Sequence, residues 1–266
     1  MKKMPICLTI AGVDPSGGAG ILADIKTFSA FGCFGTAAIT SLTFQNTVGV
    51  FGVINQTGES VRQQTQPVLD DFQVSSLKTG MLPNKEIIET IAEIVEKNEL
   101  NNFVVDPVVR STSGFDLIDD EALNSLIEKL FPLADLITPN IPEAERISGL
   151  KIEKSEDFEK VAQKIQSLGA KNVLLKGGHL ESSKKATDYL FVGNDLHIFE
   201  GEFYQTNSTH GTGCTLSAAI TANLAFGKNL IEAVGIAKKY VNEAIRTSPN
   251  IGKGHSPINH FVKIDY

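Results

Sequence analysis

Short apolar runs of strand length alternate with longer amphipathic segments along almost the whole chain. The runs predict nine strands, and the segments in which apolar residues recur at helical spacing predict eight helices. The asparagine at 84 and the serine at 155 precede two of these helices and are the expected N-caps. The predicted strands are 6–11, 36–43, 50–54, 74–79, 102–106, 133–138, 172–176, 187–192 and 196–199, and the predicted helices are 18–31, 59–72, 84–97, 119–130, 141–148, 155–168, 213–226 and 230–246.

This alternation indicates an α/β fold with a mainly parallel sheet covered by helices on both faces. The last two strands are expected to form a hairpin around residues 193–195. No repeat or linker interrupts the pattern, so residues 1–266 are expected to form a single domain. Several polar or glycine positions follow predicted strand ends, where ligands bind in sheets of this kind: Gly12, Gly80, Met81, Asp106, Asn140, Lys176 and Gly177.

Composition narrows the classes of function. The 266 residues carry a formal net charge of −7 and no basic block, which argues against nucleic acid or an acidic membrane as partner. The three cysteines are far apart in sequence, which favours a reducing compartment over a disulfide framework or a structural zinc site. The apolar stretch near the N-terminus is too short for a signal or membrane segment, so we expect a cytoplasmic protein.

The run from Thr209 to Cys214, THGTGC, leads directly into a predicted helix. A glycine-rich turn at a helix N-terminus presents unpaired N–H groups and the positive end of the helix dipole, which suits phosphate. Gly211, Thr212 and Gly213 would form this anion hole, and Cys214 would have a lowered thiol pKa. An ordinary turn entering a helix is the simpler alternative.

A second glycine-rich loop, residues 12–20, follows the first predicted strand. It has neither the G-x-G-x-x-G spacing of a dinucleotide fold nor the Gly-Lys-Ser/Thr ending of a P-loop, so a flexible turn and a binding loop are equally good interpretations. Asp24 falls on the inner part of the helix that follows. Its carboxylate is predicted either to bind a substrate hydroxyl or amine, or to occupy a solvated helix position.

Oxygen-bearing side chains at two strand ends suggest a magnesium site. Asp106 ends one strand, and Asn140 and Glu143 follow another at a spacing that puts both on one helical turn. Glu143 also suits a first-turn acid that interacts with the helix dipole, which is the simpler alternative. Lys176 ends a strand before two glycines and can reach a phosphate. His179 and His210 are given no role in proton transfer.

Taken in order, these motifs closely resemble those of the bacterial hydroxymethylpyrimidine/phosphomethylpyrimidine kinases of thiamine biosynthesis, which belong to the ribokinase-like superfamily. The resemblance runs from about residue 6 to 261. It is carried by the segments AGVDPSGGAGI (11–21), ADIKTF (23–28), QNT (45–47), GML (80–82), TPNIPEA (138–144), KGGH (176–179) and THGTGCT (209–215).

The resemblance implies a three-layer α/β/α sandwich and two successive phosphorylations by ATP. The hydroxymethyl group of 4-amino-5-hydroxymethyl-2-methylpyrimidine is phosphorylated first, and the monophosphate is then converted to the diphosphate. Mg²⁺ and a homodimer are implied, while a monovalent cation requirement stays open. The pyrimidine would contact Gln45, Asp24, Met81, Gly12 and Val108; Lys176 would contact phosphate; Asp106, Asn140 and Glu143 would form the metal region.

One departure from the sugar kinases of the superfamily concerns the end of the anion-hole run. Sugar kinases place an aspartate there as the base for the alcohol, whereas this chain resembles the pyrimidine kinases in having Cys214. The resemblance therefore makes Cys214 the expected catalytic residue, although phosphoryl transfer depends mainly on positioning and charge stabilisation. The polar stretch 181–186 is predicted to be a loop near the site that acts as a lid.

Two other functions remain open from the sequence. A pyridoxal or pyridoxine kinase, or an enzyme that accepts both rings, would use the same scaffold, and Gln45 favours the pyrimidine without excluding the others. A non-catalytic pyrimidine or nucleotide sensor is the alternative outside enzymology. The presence of Lys176, Asn140, Glu143 and Cys214 argues against a sensor.

Overall fold

The alternation of strands and helices builds one nine-stranded sheet in a computed structural model that describes residues 4–109, 116–178 and 185–263. Every predicted strand is found, most with ends shifted by a few residues. The strands are β1 (Ile6–Val13), β2 (Phe34–Gln45), β3 (Val50–Asn55), β4 (Ser76–Thr79), β5 (Phe103–Val105), β6 (Leu136–Ile137), β7 (Asn172–Lys176), β8 (Lys185–Val192) and β9 (Asp195–Glu202).

The strand order is β3-β2-β1-β4-β5-β6-β7-β8-β9. Strands β2, β1 and β4 to β7 are parallel to their neighbours, whereas β3 pairs antiparallel with β2 and the β8–β9 hairpin pairs antiparallel with β7. The sheet is therefore mainly parallel, as predicted. The hairpin turns at Gly193, whose positive φ of 56° suits glycine.

Eight helices cover the two faces of this sheet. They are α1 (Gly20–Ala30), α2 (Gly58–Asp71), α3 (Lys85–Lys97), α4 (Asp120–Ser125), α5 (Ile141–Ser148), α6 (Asp157–Ser167), α7 (Thr212–Ala225) and α8 (Leu230–Arg246) within the described ranges. The segment Leu126–Leu130 continues α4 as a π-helical turn. Among the described residues, no helix is both long and apolar enough to span a bilayer.

Two hydrophobic cores separate the three layers. Side chains of α2 to α6 pack against one face of the sheet, and those of α1, α7 and α8 pack against the other. Neighbouring strand residues alternate between the cores, as Val104 and Val105 of β5 do, because successive side chains of a strand point to opposite faces. This is the α/β/α sandwich expected from the sequence.

Two local expectations differ in outcome. The Asn84 side chain accepts a hydrogen bond from the Ile87 N–H and caps α3 as predicted. Ser155 does not cap α6, because that helix begins at Asp157, whose carboxylate accepts hydrogen bonds from the backbone N–H groups of Glu153 and Lys154. Of the predicted lid, residues 185 and 186 belong to β8, and residues 181–184 lie outside the described part, as does His179.

Candidate active site

The carboxyl ends of the parallel strands meet at one pocket of about 690 Å³. The pocket is reached from the end of β1, the end of β2, the turn after β4 and the segments after β5, β6 and β7, together with the N-terminus of α7. Twelve of the thirteen residues expected in the site line it: Gly12, Gln45, Met81, Asp106, Val108, Asn140, Glu143, Lys176, Gly211, Thr212, Gly213 and Cys214. Asp24 does not.

One end of the pocket is narrow and partly apolar. Gly12 lies against Met81, and a Cβ added to Gly12 would lie 3.0 Å from the Met81 sulfur atom. The Gln45 amide supplies polar groups at this end, and Val108 lies among the lining residues. A flat ring with polar edges fits between the apolar walls, and the amide can both donate and accept hydrogen bonds.

The glycine-rich run before α7 depends on glycine at two positions. Gly211 has a φ of 81°, and an added Cβ would lie 1.7 Å from the Gly18 carbonyl oxygen. The two glycine-rich loops therefore touch backbone to backbone. At Gly213 an added Cβ would lie 3.3 Å from the Lys176 Nζ atom. A lysine ammonium and a helix N-terminus thus face the same space, and both attract an anion.

The expected low pKa of the Cys214 thiol is wrong for the ligand-free protein. Burial raises the pKa of Cys214 to about 11, and this outweighs the nearby Lys78 ammonium and a hydrogen bond from the Gly20 N–H, both of which lower it. The carboxylates of Asp24 and Asp106 raise the pKa further. Desolvation therefore exceeds the effect of the helix dipole on which the sequence argument relied.

Asp24 lies below the pocket rather than in it, so the expected contact with substrate is corrected. Its carboxylate accepts hydrogen bonds from the Thr9 hydroxyl at 2.6 Å and from the Lys78 ammonium at 2.9 Å. Both charged side chains are fully buried, whereas Lys78 lines the pocket. Burial would lower the pKa of Lys78, but the adjacent Asp24 carboxylate outweighs it and raises this pKa. Asp24 can therefore influence a ligand only through Lys78.

Lys176 lies among acidic groups. Its Nζ atom is 2.9 Å from Asp106 Oδ1 and 3.8 Å from Glu143 Oε2. Asp106 also accepts hydrogen bonds from the hydroxyls of Thr138 and Ser217, at 3.0 and 3.1 Å. Burial opposes the charge on Asp106, but the ammonium groups of Lys176 and Lys78 hold the pKa of its carboxyl below the usual value. Asp106 is therefore a fixed anion opposite the helix N-terminus.

Asn140 and Glu143 form a capping box at the start of α5. The Glu143 N–H donates to Asn140 Oδ1 at 2.9 Å, and the Asn140 N–H donates to Glu143 Oε2 at 2.8 Å. Burial raises the pKa of Glu143 to about 7. In the described part of the chain, no cluster of three or more histidine, cysteine, aspartate or glutamate residues could hold a metal ion. The simpler prediction for Glu143, a first-turn acid, is thus confirmed, and the predicted metal role of these residues is additional to it.

Sequence reasoning missed the outer part of the pocket. Asp188 of β8 and Lys238 of α8 form a buried ion pair of 2.7 Å there. Phe203, Tyr204, Val241 and Ile245 add apolar surface nearby, as a planar heterocycle requires. Lys238 and Lys78 each occupy an otherwise apolar buried position, and this is the signal in the sequence that could have revealed them, since a buried lysine needs a partner.

Comparisons with known proteins agree with this geometry. Residues 14–259 match the model of the family described as phosphomethylpyrimidine kinase. A hydroxymethylpyrimidine/phosphomethylpyrimidine kinase of Staphylococcus aureus (strain MSSA476) is 44% identical over 263 residues, covering 98% of this chain and 95% of the relative.

Two solved structures are also similar. A phosphomethylpyrimidine kinase from Clostridium difficile has 45% identity and a TM-score of 0.80, covering 91% of this chain and 99% of its own. A pyridoxal kinase from Bacillus subtilis, solved as an ADP complex, has 38% identity and a TM-score of 0.89, covering 97% and 98%.

Proposed function

The chain belongs to the phosphomethylpyrimidine kinase family, and from this premise we propose how its pocket performs the reaction. The protein is a kinase of thiamine biosynthesis. It phosphorylates 4-amino-5-hydroxymethyl-2-methylpyrimidine and then the monophosphate. The observation that carries the assignment to this pocket is that Gln45, Lys176 and the Gly211–Cys214 run all line one cavity.

The pyrimidine occupies the narrow end of the pocket. The Gln45 amide pairs with the exocyclic amine and the adjacent ring nitrogen, while Met81, Gly12 and Val108 contact the faces and edge of the ring. The hydroxymethyl group then points towards Cys214 and the start of α7. In this position the hydroxyl oxygen lies in line with the phosphoryl group that it attacks.

Lys176 and the N-terminus of α7 hold the phosphoryl group during transfer. The N–H groups of Gly213 and its neighbours stabilise negative charge on the phosphoryl oxygens, and the Lys176 ammonium adds a full positive charge. Asp106 keeps Lys176 in place. Cys214 takes the hydroxyl proton at its sulfur atom, with the Lys78 ammonium favouring the thiolate. The monophosphate is held by the same groups in the second step.

ATP is the phosphoryl donor, and its base lies in the outer pocket beside Tyr204 and Val241. Magnesium fits the inner side: Asp106 and Glu143 present carboxylate oxygens, and the raised pKa of Glu143 indicates that this carboxylate lacks compensating positive charge. Bound with ATP, Mg²⁺ supplies charge neutralisation on the phosphates. Because no protein cluster encloses a metal among the described residues, water and phosphate oxygens complete its coordination.

The same proposal covers the setting of the enzyme. We place the reaction in the cytoplasm, on one kinase domain of residues 1–266, with a second copy of the chain as partner. The dimer is argued at the scale of the whole molecule below.

A pyridoxal kinase activity is the second candidate, because a B. subtilis pyridoxal kinase shares the fold at a TM-score of 0.89. A parallel assay decides between the two. Purified protein is incubated with ATP, Mg²⁺ and either hydroxymethylpyrimidine or pyridoxal, and ADP and the phosphorylated products are quantified. We expect the pyrimidine mono- and diphosphates to form in sequence, with a higher kcat/KM than for pyridoxal. A preference for pyridoxal would overturn the assignment, and absence of ADP with either ring would favour a sensor.

A further inference from the structure

A buried carboxylate–imidazole pair lies beside Gln45 and has no part in the mechanism above. The His210 Nε2 atom is 2.7 Å from Asp14 Oδ2, and both side chains are almost completely buried. The imidazole packs tightly against the first glycine-rich loop, where a Cβ added to Gly18 would lie 2.4 Å from the His210 Cδ2 atom. The ring position is therefore set by both loops.

The state of Asp14 fixes where the imidazole carries a proton. The carboxylate also accepts hydrogen bonds from the Ser16 N–H and hydroxyl, at 2.9 and 2.7 Å, and from the Ala19 N–H at 2.9 Å. Burial opposes its charge, but the hydrogen bonds from His210 and Ser16 outweigh it and hold the pKa of Asp14 below the usual value. An ionised carboxylate only accepts hydrogen bonds, so His210 Nε2 must carry a proton.

This proton determines the orientation of the Gln45 amide. The Gln45 Nε2 atom lies 3.5 Å from His210 Nε2, and the Gln45 Oε1 atom lies 3.2 Å from the Thr43 hydroxyl oxygen. Two N–H donors cannot bond to each other. The Thr43 hydroxyl has a single proton, which it donates to the Val13 carbonyl at 2.8 Å. Exchanging the isosteric amide oxygen and nitrogen satisfies both contacts, with the oxygen facing His210 and the nitrogen donating to Thr43.

We propose that His210, held by Asp14, is a positioning residue that fixes the donor–acceptor order of the Gln45 amide and thereby selects an aminopyrimidine. This inference rests on the proposed function, because it assumes that Gln45 contacts the ring. One lone pair of the amide oxygen and one N–H of the amide nitrogen remain for the substrate.

The order of donor and acceptor matters because the substrate edge is directional. An aminopyrimidine presents an amine donor next to a ring nitrogen acceptor, and the hydroxymethyl group lies on the other side of the amine. A reversed amide would bind the ring turned over, with the hydroxymethyl group directed away from Cys214. Pyridoxal has no amine beside a ring nitrogen, so a fixed amide gains less from it.

The tautomer can be tested without any substrate. Nitrogen-15 NMR of the histidine-labelled, ligand-free protein distinguishes protonated from unprotonated ring nitrogens, and the His210 signals are assigned by their loss in His210→Gln. We expect Nε2 of His210 to carry a proton. An unprotonated Nε2 would overturn the inference whether or not the protein phosphorylates the pyrimidine.

The coupling to substrate is tested by a cycle between residue 210 and the 4-amino group. Wild type, His210→Leu and His210→Gln are assayed with hydroxymethylpyrimidine and with its analogue lacking that amine. Losing the amine should lower kcat/KM about 100-fold in wild type and less than about 10-fold in His210→Leu, as for buried partners left unpaired. His210→Gln keeps an N–H donor near the Nε2 position and should restore most of the discrimination, and the KM for ATP should not change.

Ser256→Ala is the matched control, because Ser256 braces the same loop through the Ile251 N–H at 3.0 Å and does not bond to Gln45. It should keep the full discrimination of wild type. Equal discrimination in wild type and His210→Leu would contradict the inference. If wild type fails to phosphorylate the pyrimidine, the proposed function fails, and the NMR measurement still decides the orientation of Gln45.

Discussion

The thiol of Cys214 is subject to two opposing influences. The N-terminus of α7 and the Lys78 ammonium favour the thiolate, while burial and the nearby carboxylates favour the thiol and raise its pKa to about 11. If the thiolate takes the substrate proton, catalysis uses a species that is scarce at neutral pH in the ligand-free protein. This agrees with phosphoryl transfer by positioning, in which the base contributes less than charge stabilisation.

The reactivity of this thiol gives the first prediction. Below its pKa, the thiolate fraction rises about tenfold for each pH unit, so alkylation of Cys214 by iodoacetamide should accelerate by that factor from pH 7 to pH 10. Mass spectrometry of the labelled peptide measures the rate. Cys7 and Cys33 are buried free thiols and serve as internal controls that should label much more slowly. Fast labelling at pH 7 with no pH dependence would instead restore the low pKa argued from the sequence.

The same residue should separate turnover from binding. Cys214→Ala removes the sulfur that accepts the proton but leaves Gln45 and the anion hole intact, so kcat should fall by roughly 10²-fold or more. The KM for the pyrimidine should change little. Steady-state kinetics with both substrates varied measures the two constants. Near-normal kcat in this variant would remove Cys214 from the mechanism.

The Asp24–Lys78 pair yields a prediction about stability. Lys78→Met leaves the Asp24 carboxylate buried without its partner, which should lower the free energy of unfolding by about 3–5 kcal/mol. Replacing both residues, as in Asp24→Asn with Lys78→Met, should recover much of this loss. Urea denaturation measures both. Lys171→Met breaks an exposed ion pair with Asp135 and is the control, with an expected cost below about 1 kcal/mol. A Lys78→Met variant as stable as this control would contradict the prediction.

At the residue scale, partners far apart in sequence were the main omission. The sequence placed Asp24 correctly on the inner face of α1, but its partner Lys78 lies 54 positions away. His210 meets Asp14 across 196 positions. Nothing local signals such pairs, because both depend on how the strands order themselves in the sheet. The strand-end positions were predictable, since parallel strands bring their carboxyl ends to one edge.

At the scale of elements, the junction of α7 with the first glycine-rich loop is the most constrained feature. Gly211 has a positive φ, and its Cα lies so close to the Gly18 carbonyl that a side chain cannot fit. Gly149, at the C-cap of α5, has a similar φ of 72° but nothing within 4 Å of an added Cβ. The two glycines therefore separate backbone strain from steric overlap.

Alanine substitution at each glycine tests this distinction. Gly149→Ala should cost only the strain of a left-handed residue, about 1–2 kcal/mol, with unchanged kcat. Gly211→Ala should cost more in stability, and it should also abolish most activity because the two loops must separate. Thermal unfolding and steady-state kinetics are measured on both. Equal stability and full activity in Gly211→Ala would show that the loops are not held together as described.

Hydrophobic periodicity predicted the elements themselves well, but not their ends. The cap of α6 and the π-helical turn after α4 were missed, because both depend on backbone geometry that side-chain spacing does not encode. The helix predicted from residue 18 begins at Gly20, since residues 12–19 are used to surround Asp14 and His210. Departures from the pattern thus concentrate at the candidate site.

At the scale of the whole molecule, the edge of the sheet formed by β2 and β3 is unusually apolar. Leu42, Phe44, Val48, Phe51 and Ile54 are all exposed there, and Phe51 is 70% exposed. Leu42 pairs directly with Ile54 across the two strands, and Phe44 lies over Gly52. Exposed apolar edge strands are normally covered. The resemblance to dimeric kinases makes a second copy of this chain the partner that we propose for this surface.

The mass of the protein in solution tests the dimer. Light scattering of wild type should give twice the chain mass of 28.7 kDa at micromolar concentration. Phe51→Glu combined with Ile54→Lys places charges in the proposed interface and should shift the protein to a monomer, because buried unpaired charges are costly. Phe261→Glu is the matched control, since Phe261 is also highly exposed but lies outside this edge, and it should remain dimeric. A monomeric wild type would leave the β2–β3 edge without this partner. Because Gln45 ends β2, the variant's KM for the pyrimidine should also reveal whether dimerisation supports the substrate pocket.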